Sequence, residues 1–86
     1  MPSQPYEQWV HRAQYAKQQM LMGDFAGCIR TCEPLLTSLS GSSVLRLEVL
    51  TLLGLAHGML KQYQQSYDVF REAIGIDPTV AELWHN

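Results

Sequence analysis

At 86 residues and 9.8 kDa, the chain has room for one small domain and not two. Hydrophobic residues make up 47% and charged residues 16%, which excludes a disordered chain. Six Lys+Arg against eight Asp+Glu, spread along the chain, give no positive field that would hold nucleic-acid phosphates.

In chain order, Met1-Pro2-Ser3-Gln4-Pro5 lacks the basic and apolar segments of a secretory signal. No stretch alternates apolar and polar residues with period two, so no strand is predicted. A first helix is predicted from the return of Tyr6, Trp9, Val10, Ala13, Ala16, Met20 and Leu21 at three- and four-residue steps. Pro5 suits its first turn, where a missing N–H costs nothing. Gly23 can close that helix in the left-handed conformation, and the Asp24 carboxylate can cap the next. The second helix runs from Phe25 to about Leu39, with Phe25, Cys28, Ile29, Cys32, Leu35, Leu36 and Leu39 as its stripe. Pro34 inside it removes one backbone hydrogen bond and should bend it.

Residues 37–43 have the only loop-like composition, and Ser43 can cap a third helix, Val44 to about Leu60. That helix is apolar nearly all round, as a helix sandwiched between others must be. Arg46, Glu48, Thr51 and His57 interrupt it, and it is short for a membrane span, so a buried helix of a soluble, intracellular, cytoplasmic protein is expected. A fourth helix, about Tyr63 to Ile76, sets Tyr67, Phe70, Ala73 and Ile74 on one face, and Asp77-Pro78 stops it. Thr79-Val80-Ala81-Glu82 reads as a capping box for a fifth.

The two helical pairs repeat. Aligning Gly23-Asp24-Phe25 with Lys61-Gln62-Tyr63 gives an offset of 38 residues. Ala16 then falls on Gly54, Cys28 on Ser66, Cys32 on Phe70 and Leu35 on Ala73. Recurrence at this interval points to a helical repeat.

The second unit resembles a tetratricopeptide repeat, a pattern of large and small residues about 34 residues long. Leu53-Gly54 matches its Leu-Gly pair, and Tyr63 its aromatic at the turn. Ser66, Phe70 and Ala73 match its small, large and small positions, and Pro78 its terminal proline. Leu50 stands in for the usual tryptophan, His57 for tyrosine and Lys61 for glycine. Trp84 falls on the tryptophan position of a following repeat. The first unit is weaker: Ala16, Gly23 and Phe25 fit, Arg12 replaces the tryptophan, and no terminal proline is present.

The resemblance implies an all-α, right-handed stack of α-hairpins: two helical hairpins and the start of a third repeat. Residues 1–86 form a single domain, with repeat one at about 5–39, a linker at about 38–43, repeat two at about 44–78 and a partial third at 79–86. The expectation is an amino-terminal piece of a longer array, with self-association through the uncapped C-terminal end. In this family the first helix of each repeat lines a concave groove that binds peptides. Carried over by position, that groove is Val10, Ala13, Lys17, Met20 and Leu21 in the first unit, and Glu48, Thr51, Leu55 and Met59 in the second. It is mostly apolar, with one base and one acid. It lacks the row of Lys, Asn and Arg that members binding acidic chaperone tails carry.

The chemistry-bearing side chains read as structural. Cys28 and Cys32, four apart on one helical face, occupy packing positions, and two thiols are half of a zinc site at most. His11, His57 and His85 lie on separate helices with no metal or catalytic spacing. No phosphate-binding glycine loop is present. The expected function is therefore a non-catalytic protein–protein interaction module or scaffold for another protein or peptide. It needs no cofactor, nucleic acid or membrane. Two alternatives are an RNA-binding hairpin repeat of the pentatricopeptide kind and a self-association module.

Overall fold

The computed structural model describes residues 5–39 and 44–81. Four helices follow one another: α1 (Pro5–Leu21), α2 (Phe25–Ser38), α3 (Val44–Met59) and α4 (Tyr63–Ile76). Among the described residues there is no strand, and no helix is long and apolar enough to cross a membrane. Ser43 and the segment Glu82–Asn86, with Trp84 and the second half of the expected capping box, lie outside the described residues.

Tight turns fold α1 back onto α2 and α3 back onto α4, and α3 also packs on α1 and α2. The two turns are the same object 38 residues apart. Asp24 N–H donates to Gln19 O at 2.8 Å and Gly23 N–H to Met20 O at 3.1 Å. Gln62 N–H donates to His57 O at 2.9 Å and Lys61 N–H to Gly58 O at 3.0 Å. This is the Schellman closure, in which two free carbonyls of the last turn gain partners. It requires a left-handed residue, and Gly23 has φ +83° and Lys61 φ +62°. The next helices start alike, with Cys28 N–H on Asp24 O and Ser66 N–H on Gln62 O. They also end alike, with Leu39 N–H on Leu35 O and Asp77 N–H on Ala73 O.

Ala13, Ala16, Cys28, Cys32, Leu35, Leu39, Leu45, Val49, Leu52, Leu53 and Ala56 form one continuous core. Leu50, Phe70, Ala73 and Val80 form a second, on the α4 side of α3. The sandwiched helix predicted at Val44–Leu60 is thus α3, which contributes to both. α4 lies close against α3 at Gly54. A Cβ there would stand 2.7 Å from the Phe70 ring, and Ser66 Oγ donates to Gly54 O at 2.8 Å.

Two expectations are corrected. Tyr6 on α1 and Tyr67 on α4 are exposed. Gln19, a polar residue, is buried in their stead: its Oε1 accepts from Thr31 Oγ at 2.7 Å, so its polar end is satisfied across the turn. At the end of the second repeat Asp77 closes a turn of its own over Thr79. Its Oδ1 accepts from Thr79 N–H at 3.0 Å and Thr79 Oγ at 2.8 Å. Val80 then turns into the second core.

Candidate interaction surface

α3 is buried over most of its surface, and its fully exposed residues fall on one line. Val44, Glu48, Leu55 and Met59 are exposed and Thr51 is half-buried between them. Steps of three and four residues keep these on one face of the helix. Thr51 Oγ donates to Leu47 O at 2.9 Å, which ties its hydroxyl to the helix backbone.

The same line occurs on α1, 38 residues earlier. Tyr6, Lys17 and Leu21 are exposed there, Val10 and Met20 are half-buried, and Ala13 is buried, at 1% exposure. Ala13 therefore belongs to the core and does not line the surface. Its single methyl cannot reach past the helices that pack on α1. The other eight residues carried over from the family pattern keep some exposure. Tyr6 and Val44 extend the two lines by one turn, and the sequence reading left them out. The signal was present: Tyr6 is four residues before Val10, Val44 four before Glu48, and the two are 38 apart.

α1 packs beside α3, and the 38-residue repeat pairs the two lines position by position as one candidate surface. It presents large apolar side chains (Tyr6, Leu21, Val44, Leu55, Met59) with a base, Lys17, and an acid, Glu48. Leu55 is 47% and Met59 59% exposed, in a helix that otherwise turns its leucines inward. No protein-family model matches the sequence, and no characterised protein or solved structure matches it.

Among the described residues every buried side-chain N and O atom has a hydrogen-bond partner. His57 is buried, and its Nδ1 lies 2.7 Å from Gln62 Oε1, so Nδ1–H donates to the amide oxygen. This spans the second turn, as Gln19 and Thr31 span the first. Cys28 and Cys32 are free and fully buried, with their sulfurs 3.9 Å apart. Burial pushes both thiols up, Cys32 far up, so both are neutral thiols at pH 7. Among the described residues no three His, Cys, Asp or Glu come together as a metal site. A cleft of about 330 Å³ between α1 and α2 is lined by Gln8, Trp9, Arg12, Pro34, Leu35 and Ser38. It lies away from the α1–α3 line.

Proposed function

We propose that the chain is a non-catalytic protein-interaction module of the tetratricopeptide kind, a right-handed stack of helical hairpins that takes a peptide segment along α1 and α3. The observation that carries this reading is the exposed line of α3. A helix that buries Leu45, Val49, Leu50, Leu52 and Leu53 leaves Leu55 and Met59 in water, in register with Leu21 on the neighbouring α1. Apolar side chains exposed in a row mark recognition surfaces more often than scattered ones do. Unbranched Met side chains also adapt to differently shaped partners. The occupant is a peptide with two or three apolar anchors, an acid to meet Lys17 and a base to meet Glu48.

The test is selection from a displayed random peptide library on the immobilised chain, followed by titration of the selected peptides. Leu55→Glu and Met59→Glu should each abolish binding while leaving the far-ultraviolet circular dichroism unchanged. Lys17→Glu should shift the selected peptides from acidic to basic. Peptides that bind all three variants as well as the parent would refute the reading. Tight RNA binding that weakens steeply with salt would favour the pentatricopeptide-like alternative.

A further inference from the structure

The two hairpins differ in what they place between their helices, away from the turns. In the second hairpin, Leu50, Ala73 and Val80 are buried together with Phe70, and Leu47 and Ile76 pack against them. The counterparts 38 residues earlier are Arg12 for Leu50, Trp9 for Leu47, Leu35 for Ala73 and Ser38 for Ile76. An apolar cluster in one hairpin is thus matched in the other by a guanidinium, an indole and a hydroxyl around one leucine. These same residues, with Gln8 and Pro34, line the cleft of about 330 Å³ between α1 and α2. Each helix contributes residues at i, i+1 and i+4, so each set occupies one face of its helix.

The cleft holds donors without an anion to meet them. Arg12 is exposed, and no hydrogen bond or ion pair joins it to another described residue. Among the described residues the Trp9 indole N–H and the Ser38 hydroxyl have no partner either. None of the lining residues is acidic. The second hairpin supplies the contrast. Its cation on this side, Arg46, meets the Glu72 carboxylate of the opposite helix, and the counterpart of Glu72 is Pro34. Where α4 offers an acid, α2 offers a proline ring. Leu35 is buried and Trp9 half-buried, so the cleft also has an apolar wall. One guanidinium matches the single charge of a carboxylate, which it can hold through two parallel N–H donors. An indole and a proline ring beside it favour a flat apolar group on the same molecule.

We infer that the cleft between α1 and α2 is a binding site for a monocarboxylate attached to an aromatic ring. Arg12 takes the carboxylate, Ser38 and the Trp9 N–H add donors, and the ring lies against Trp9, Pro34 and Leu35. The cleft is at the small end of the range for ligand sites, which suits one ring and one acid group. A free aryl carboxylate and the last residue of a peptide ending in phenylalanine both present this chemistry. The site is separate from the α1–α3 line and does not depend on peptide binding there.

The test follows the Trp9 indole N–H in nitrogen–proton correlation spectra of the full chain carrying Trp84→Phe. Phenylacetate should move that peak, and backbone peaks of α1 and α2 around the cleft, along one saturable curve. Phenylacetamide, the neutral counterpart, should bind roughly tenfold or more weakly, and Arg12→Gln should weaken phenylacetate by a similar factor. Acetyl-glycyl-phenylalanine, with a free and with an amidated terminus, forms the second arm. Tighter binding of the free acid than of phenylacetate identifies a peptide terminus as the source, and weaker binding a free small acid. Arg12→Leu with Ser38→Ile copies the second hairpin and should abolish binding of both acids while the helical circular dichroism persists. The inference is overturned if neither acid gives a saturable shift at Trp9, if phenylacetamide binds as well as phenylacetate, or if Arg12→Gln changes nothing. The comparison of acid with amide needs no variant, so it stands even if a substitution disturbs folding. Peptides selected on the α1–α3 line should bind the Arg12→Gln chain as well as the parent, so failure of the cleft leaves that reading in place.

Discussion

Lys61 holds φ at +62° in the second turn, where the first turn has Gly23 at +83°. A lysine pays a steric penalty in this conformation, because its Cβ crowds the backbone, and glycine does not. The Schellman hydrogen bonds hold it there. Lys61→Gly should therefore stabilise the chain by about 0.5–1 kcal/mol, the relief of strain less the greater entropy of an unfolded glycine. Thermal and urea melts of the exposed single variant will read this directly, and a lower midpoint would contradict it. Gly54 presents the opposite case. Alanine in a helix interior is better than glycine by about 1 kcal/mol. Here, however, the added methyl meets the buried Phe70 ring at 2.7 Å, so overpacking decides the sign. Gly54→Ala should cost about 1–2 kcal/mol net, and Phe70→Leu made with it should reduce that cost. A double-mutant cycle with no coupling would place the strain elsewhere.

Arg46 joins three elements. Its guanidinium donates to Leu39 O at 2.6 Å and Leu36 O at 3.2 Å, carbonyls in the last turn of α2 and just beyond it, and to the Glu72 carboxylate on α4. The two kinds of contact differ in value. Glu72 is half exposed, so its ion pair is screened and contributes a few tenths of a kcal/mol. The carbonyls are part-buried and receive charge-assisted hydrogen bonds, about 1.5–3 kcal/mol for such donors. Arg46→Met should therefore destabilise by roughly 1.5–3 kcal/mol, whereas Glu72→Gln should cost under about 0.5 kcal/mol. Denaturant melts of the two variants separate the cases, and equal losses would mean that the ion pair dominates. This tie was not legible in the sequence, where Arg46 reads only as an interruption of an apolar run. Nothing local says that its side chain reaches back to α2, because that contact exists only once α2 and α3 are packed. What local chemistry specifies was legible: the starts at Phe25 and Tyr63, the left-handed turn at Gly23, the cap at Asp24, whose Oδ1 accepts from Gly27 N–H at 3.0 Å, and the burial of most of α3. Periodicity failed at Tyr6 and Tyr67, which share the apolar period of their helices yet are exposed. It also passed over Gln19, which is buried because Thr31 across the turn satisfies it. The exposed line on α1 and α3 was recoverable by position, and Ala13 was misplaced because side-chain length, not helical phase, decides what reaches a surface.

The architecture of the whole molecule turns on α3. α1 and α2 pack on one side of it, α4 on another, and its residues enter both cores. In a repeat stack, stability is approximately the sum of each unit and its interface with the next. With two hairpins and one interface, a weakened α3 weakens everything at once. Val49 sits at its centre, fully buried in the first core, and Val49→Ala should cost roughly 1–3 kcal/mol by loss of buried apolar volume and the cavity it leaves. The sharper expectation concerns cooperativity. Trp9 packs against the first core from α1, far along the chain from α4, and in a Trp84→Phe background it is the one tryptophan. Its fluorescence should lose native character at the same urea concentration as the far-ultraviolet circular dichroism of all four helices. Val49→Ala should move both midpoints together. If α1 and α2 instead formed an autonomous hairpin, Trp9 would melt later than the bulk helical signal, and the variant would split the two curves further. Coincident curves that shift as one are what a single shared helix between two hairpins requires.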